Sequence, residues 1–263
     1  MDFYFQGKTW LYKGWTPEYL AKARRLFERA LALDPNNVEA MLWTAVVDLV
    51  VGAAHMSDHK ATLVASAEAT LIKVLSIAPN HAAAHLHLAG ALMATNRFVQ
   101  GIAGCERALE LDRNLAEAHA QIGMGKFYLG RGAEIEAHMN EAFRLSPRDI
   151  FAFDWLMMVG LAKLQLTADA EAVMWFRRSV EANRNYPLAH FALGAALALL
   201  GSQEEARAAI KAGLALDPSF TIRRFRLNAQ GDNPTYLAKR ERVSEGMRMA
   251  DHPPKKWTGL SCF

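Results

Sequence analysis

The chain has 263 residues, 52% of them hydrophobic, and a formal net charge of +3. That is enough apolar material for a sizeable core and too little net charge for a dedicated nucleic-acid binder. The charge is uneven: from Thr221 onward nine Lys/Arg face four Asp/Glu. The two cysteines, Cys105 and Cys262, make no disulfide framework and point to a reducing, cytoplasmic compartment. No stretch reaches the ~20 apolar residues of a membrane span. Met41 to Met56 is broken by Asp48, and the apolar run from Phe191 stops at Gly201.

Apolar spacing and capping residues predict helices, in chain order, over 3–13, 17–33, 37–51, 60–77, 81–94, 98–111, 115–129, 132–145, 149–164, 168–182, 187–200 and 203–216. A short helix near 220–228 follows, then QGDN as a break. A last helix begins after Asn233, a good N-cap, with Pro234 suited to the first helical position. It is expected to cap the open end of the array. Residues 251–263 have no period and read as a flexible tail.

The helices are punctuated by one joint written six times: LALDPNN, LSIAPNH, LELDRNL, FRLSPRD, VEANRNY and LALDPSF. Aligned on Pro35, Pro79, Arg113, Pro147, Arg184 and Pro218, they recur at 34 residues, with a ten-residue insertion around GAAHMSDHKAT and a three-residue one later. A period of 34 is that of the tetratricopeptide repeat. Within the units, His190, Leu193, Gly194, Leu197, Ala206, Ile210 and Pro218 match the family pattern, as do His119, Ile122 and Gly123. The chain therefore resembles the tetratricopeptide family. The resemblance implies an all-α, right-handed superhelical solenoid of about six helix–turn–helix repeats, approximately 1–35, 36–79, 80–113, 114–147, 148–184 and 185–218, with C-terminal capping helices over 220–250. Arg113 and Arg184 in place of the joint proline, and Asp48 and Lys126 in place of an aromatic, depart from the pattern.

Tyr4-Phe5-Gln6-Gly7 also matches the end of an engineered protease site. The repeat register decides against that origin. Gly7 and Gly14 are seven apart, as are Gly123 and Gly130, and Gly194 and Gly201. The stretch is read as the first helix of the first repeat.

No phosphate loop, dinucleotide fingerprint, nucleophile elbow or CxxC pair occurs, so neither catalysis nor a cofactor is expected. His81 and His85, four apart, have metal-ligand spacing, but His85, His119 and His190 recur with the repeat and are explained by it. His55, Asp58 and His59 in the insertion are the other metal candidate, against an exposed helical turn. No metal site is expected at either place.

In such solenoids the first helix of each pair lines the concave face. Helical spacing places there Leu42, Trp43 and Val46; Leu86, His87 and Met93; Gln121, Met124, Phe127 and Tyr128; Asp154, Trp155 and Met158; and Phe191 and Ala195. This groove is aromatic and apolar, and suits an amphipathic or extended peptide of a partner. The alternative is internal filling, by tight winding or by the tail residues Trp257, Leu260 and Phe263. A basic patch of Arg223, Arg224, Arg226, Lys239, Arg240 and Arg242 suits an acidic partner. Self-association through the repeats or the tail is a further reading.

Several stretches, above all DPSFTIRRFRLNAQGDNPTYLAKRERVSEGMRMA, resemble the C-terminal repeat regions of bacterial proteins carrying a class III adenylate/guanylate cyclase or a winged-helix regulatory domain. That resemblance implies a regulatory, signalling context with such a domain as partner, and no enzyme activity in this chain.

Overall fold

The computed structural model describes residues 2–53 and 56–250. His55 of the insertion and the tail residues Trp257, Leu260 and Phe263 lie outside the described residues. The helices are α1 (Phe3–Tyr12), α2 (Pro17–Leu33), α3 (Val38–Ala53), α4 (Lys60–Ile77), α5 (Ala82–Ala94), α6 (Phe98–Leu111), α7 (Ala116–Tyr128), α8 (Ile135–Leu145), α9 (Ala152–Gln165), α10 (Asp169–Ala182), α11 (Pro187–Leu199), α12 (Gln203–Leu216), α13 (Ile222–Leu227) and α14 (Pro234–Met249). The described residues contain no strand. The first twelve helices stack as antiparallel pairs, each pair packed on the next, which is a helical-hairpin solenoid.

Four of the six joints hold through an acidic or amide side chain. Asp34, Asp112, Asn183 and Asp217 each accept a hydrogen bond from the backbone N–H two residues on, at 2.9–3.1 Å. This turn is the same whether proline or arginine follows, which is why Arg113 and Arg184 leave the repeat intact. The recurrent histidines reinforce it: His85 Nε2 donates to Pro79 O at 2.8 Å and His190 Nε2 to Arg184 O at 3.0 Å. His81 caps α5 and reaches Glu39 Oε1 at 2.9 Å. Among the described residues no cluster of ligands could hold a metal ion.

In the first, fifth and sixth pairs a small residue on the first helix admits a large one from the second. A Cβ on Gly7 would fall 2.5 Å from the Phe27 ring, one on Gly160 2.5 Å from Phe176, and one on Gly194 2.8 Å from Ile210. The first helix is thus tied into the array: Asp2 caps it, and Gly7 is its contact point. The reversal between paired helices needs a left-handed residue. Gly130 and Gly201 supply it at φ +82, but Asn96 and Thr167 do the same at φ 65 and 60. Asp48 is buried and paired with Arg24, and Lys126 pairs with Glu134 at 3.1 Å, so both departures from the pattern carry ion pairs.

The array curls until its beginning meets its fifth pair. Trp15, in the turn after α1, packs edge-on against Phe153 at 5.0 Å and Tyr186 at 5.4 Å, and Asn185 Nδ2 donates to Lys13 O at 3.0 Å. After α12 the chain closes the last pair, with Phe220 stacked on Phe191 at 3.8 Å. It then turns back inside the curl. Arg224 pairs with Asp58 at 2.9 Å, Asn228 Nδ2 donates to Ser57 O, and Lys60 Nζ donates to Gln230 Oε1 at 2.9 Å. The insertion in the second pair is therefore the latch for the C-terminal segment. From there α14 runs along α11 and touches α9 on the concave face.

The close-contact glycines give a stability test. Gly160→Ala forces a methyl into the Phe176 ring and should cost about 2 kcal/mol. Gly201 has nothing within 4 Å of its Cβ position, so Gly201→Ala carries only the left-handed backbone penalty, about 1 kcal/mol. Urea midpoints of the two variants should rank in that order. An equal or reversed loss would remove the close-contact account.

Candidate functional site

The first helices of the pairs do line the concave side, and α14 covers it. Its stripe Tyr236, Arg240, Val243, Ser244 and Met247 is buried, with the i, i+4, i+7, i+8, i+11 spacing of one helix face. Gly246 lets this helix touch the α11 backbone: a Cβ there would lie 2.4 Å from Ala195 O. Tyr236 packs edge-on against Phe127 at 5.6 Å and Tyr128 at 5.2 Å. Arg242 makes a bidentate pair with Asp169, its Nη2 2.6 Å from Oδ2, and also donates to Leu164 O.

Between α14 and the concave wall remains a cavity of about 210 Å³. Of the residues placed in the groove by helical spacing, Val46, His87, Met93, Gln121, Met124, Phe127, Tyr128, Asp154, Trp155 and Met158 line it. Leu42, Trp43, Leu86 and Phe191 do not. Leu42 and Leu86 belong to the cores between helix pairs. Trp43 stacks toward Tyr12 and His87, and Phe191 faces Gly213 and Phe220. Ala195 is the seat of Gly246.

The basic residues are dispersed rather than gathered into a patch. Arg224, Arg226 and Arg242 pair with Asp58, Glu241 and Asp169. Arg240 is buried; it donates to Phe225 O and lies 3.8 Å from the centre of the Phe225 ring. Arg223 is exposed and Lys239 half-buried. Arg224 and Arg242 hold the returning segment against acidic groups of the repeats, while Arg226 pairs within that segment.

Sequence reasoning missed several lining residues. Glu117 lies one turn before Gln121 on the α7 stripe, and Gln165 one turn past Leu161 on the α9 stripe, so extending each stripe would have found them. Trp15 and Tyr186 reach the cavity through the closure of the curl, for which the repeat pattern carries no signal.

The two carboxyl groups of the cavity sit at the N-terminal ends of α7 and α9. Burial pushes the Glu117 carboxyl up to about 7, with Asp149 and Asp154 adding to the rise and the Gln121 amide opposing it. The Glu117 side chain is 30% exposed, and the surface it faces is the cavity. Asp154 rises to about 6 by burial, against a 2.7 Å hydrogen bond from the Tyr186 hydroxyl. Burial pulls His87 down to about 4, so it is neutral near pH 7; its Nδ1 is 3.9 Å from Glu117 Oε1.

These shifts act on stability with opposite signs. Glu117 titrates higher folded than unfolded, so its contribution is complete below the ordinary carboxylate range and is lost as pH rises through about 7. His87 titrates lower folded than unfolded, so its contribution is present above the ordinary histidine range and lost as pH falls through about 4. Comparing wild type with Glu117→Gln isolates the first. From about pH 5 to about pH 8 the wild type should lose roughly 2 kcal/mol relative to the variant, allowing for partial screening in the cavity. Parallel urea-unfolding profiles across that range would show that Glu117 is not in a desolvated site.

Among solved structures, a thermophilic TPR protein of Thermus thermophilus is 19% identical, with 76% of this chain and 92% of that one covered at a TM-score of 0.52. Human IFIT1, solved as a dimer with m7Gppp-AAAA, is 17% identical, with 76% of this chain and 47% of that one covered at a TM-score of 0.62. At these identities the likeness concerns the fold. YrrB, described as a TPR protein with an unusual peptide-binding site, is 26% identical over 68% of this chain and 90% of its own, at a TM-score of 0.45. No curated protein matches the sequence. Two family models of the tetratricopeptide repeat match residues 20–47 and 63–125. Those two stretches carry the repeat, and the stacked hairpins give the chain the fold of a tetratricopeptide solenoid.

Proposed function

We propose that the chain is a non-catalytic interaction module whose concave groove receives an amphipathic helix, with its own α14 as resident and a partner's helix as competitor. The observation that carries the reading is α14 itself. A helix with one buried stripe lies in the groove formed by α9 and α11, which is the helix-in-groove mode of peptide recognition. The repeat fold supports a protein or peptide partner in general terms. The wall's aromatic and thioether side chains, Phe127, Tyr128, Trp155 and Met158, favour apolar anchors over a charged terminus.

A bacterial signalling context, in the cytoplasm and beside a cyclase or winged-helix domain, is supported by the sequence resemblance of the stretch from Asp217 to Ala250 to such regulatory regions. No helix of the described residues is long and apolar enough to cross a membrane. The pairing of Arg224, Arg226 and Arg242 within the chain speaks against an acidic partner at that segment.

The test uses the full chain carrying Arg242→Glu, which sets a carboxylate against Asp169 and loosens the resident helix. A fluorescent peptide of residues 233–250, titrated by anisotropy, should saturate this variant at least tenfold more tightly than it does the wild type. Equal, non-saturating binding to both proteins would overturn the groove reading.

A further inference from the structure

The cavity beneath α14 has features that a helix-receiving groove does not need. Its wall carries two carboxyl groups, Glu117 and Asp154, and no side-chain cation meets either one. Among the lining residues Arg240 is the only permanent cation, and its guanidinium is taken up by Phe225 O and the Phe225 ring. Each carboxyl sits in the first turn of its own helix, which relieves part of the cost of its charge but supplies no counter-ion. Two further polar side chains line the same space without a hydrogen bond to the protein. Gln165 is 8% exposed and makes no hydrogen bond, and His87 is 7% exposed with no partner closer than the 3.9 Å to Glu117. Buried polar groups normally find partners, so a half-open apolar pocket edged by unmatched ones is built for a ligand.

The chemistry of the wall selects the ligand. Trp155 follows Asp154 on α9, and Tyr128, whose hydroxyl reaches Met158 Sδ at 3.8 Å, adds aromatic surface one turn along that helix. Aromatic faces attract a cation through the ring quadrupole, and an organic ammonium is the cation that carries enough apolar surface to leave water. A space of about 210 Å³ exceeds the roughly 150 Å³ that holds benzene. An anion would meet the two carboxyls, and a neutral molecule would leave both without a counter-charge.

We propose that this cavity binds a small organic ammonium, an amine on an aryl or short alkyl body, with the cationic head between Glu117 and Asp154 and the body against Trp155, Tyr128 and Met158. The site lies under α14 with that helix in place, so it needs no partner helix to form.

The experiment is calorimetric titration of the full wild-type chain at pH 8 with three probes of one shape: phenethylammonium, 2-phenylethanol and 3-phenylpropionate. Phenethylammonium should bind saturably and at least tenfold more tightly than the alcohol, and phenylpropionate should give no binding. Glu117→Gln and Asp154→Asn should each weaken the amine at least tenfold and leave the alcohol unchanged. The wild-type comparison stands even where a variant fails to fold. Alcohol binding as tight as the amine, amine binding untouched by both substitutions, or no saturable heat from the amine would each overturn the proposal.

Discussion

The seat of α14 on α11 is the contact on which the interior depends. Gly246 brings the two backbones together at Ala195, where any side chain would collide with a carbonyl oxygen. From that fixed point the helix axis carries Tyr236 into the aromatic group of Phe127 and Tyr128, and Arg242 onto Asp169. These three anchors engage α11, α7 and α10, and Arg242 also reaches α9 through Leu164 O. They turn an open apolar concave surface into a walled cavity. The low dielectric that raises Glu117 and Asp154 and lowers His87 is a product of that enclosure.

Closure of the curl is the second constraint, and it is made by parts of the chain that the repeat does not specify. Trp15 bridges the first pair to the fifth, and the insertion at Ser57, Asp58 and Lys60 holds the segment that leads into α14. Lys60 is buried enough to fall to about 8, an effect that the nearby Arg240 increases. Ordinary solenoids gain stability from nearest neighbours. Here contacts between residues more than 130 apart in sequence tie the ends together.

The helices were legible in the sequence because their ends are set locally. Thr16 and Asn233 cap where they were expected to, each accepting a hydrogen bond from the first turn of its helix. The six joints declare themselves by their shared composition, and Gly7 declares its place by its distance from Gly14. Most of the groove was legible for the same reason: a stripe on a first helix follows from its spacing, as Gln121, Met124 and Tyr128 show. Two things were not legible. The sequence offers no register for Trp15 against Tyr186, because that contact depends on the accumulated rotation of five pairs. The place of α14 was also hidden: its polar composition suits the outside of an array, yet Arg240 and Ser244 are buried and the helix lies along α11 and α9 instead of stacking beyond α12.

Native-state hydrogen exchange across α14 tests the central claim most directly. The seated helix predicts slow exchange for the amides of residues 238–249, in the same range as those of α11. In the Arg242→Glu protein that protection should fall in α14 while α11 keeps its own. Exchange of the α14 amides at unprotected rates in the wild type, with α11 protected, would contradict the account.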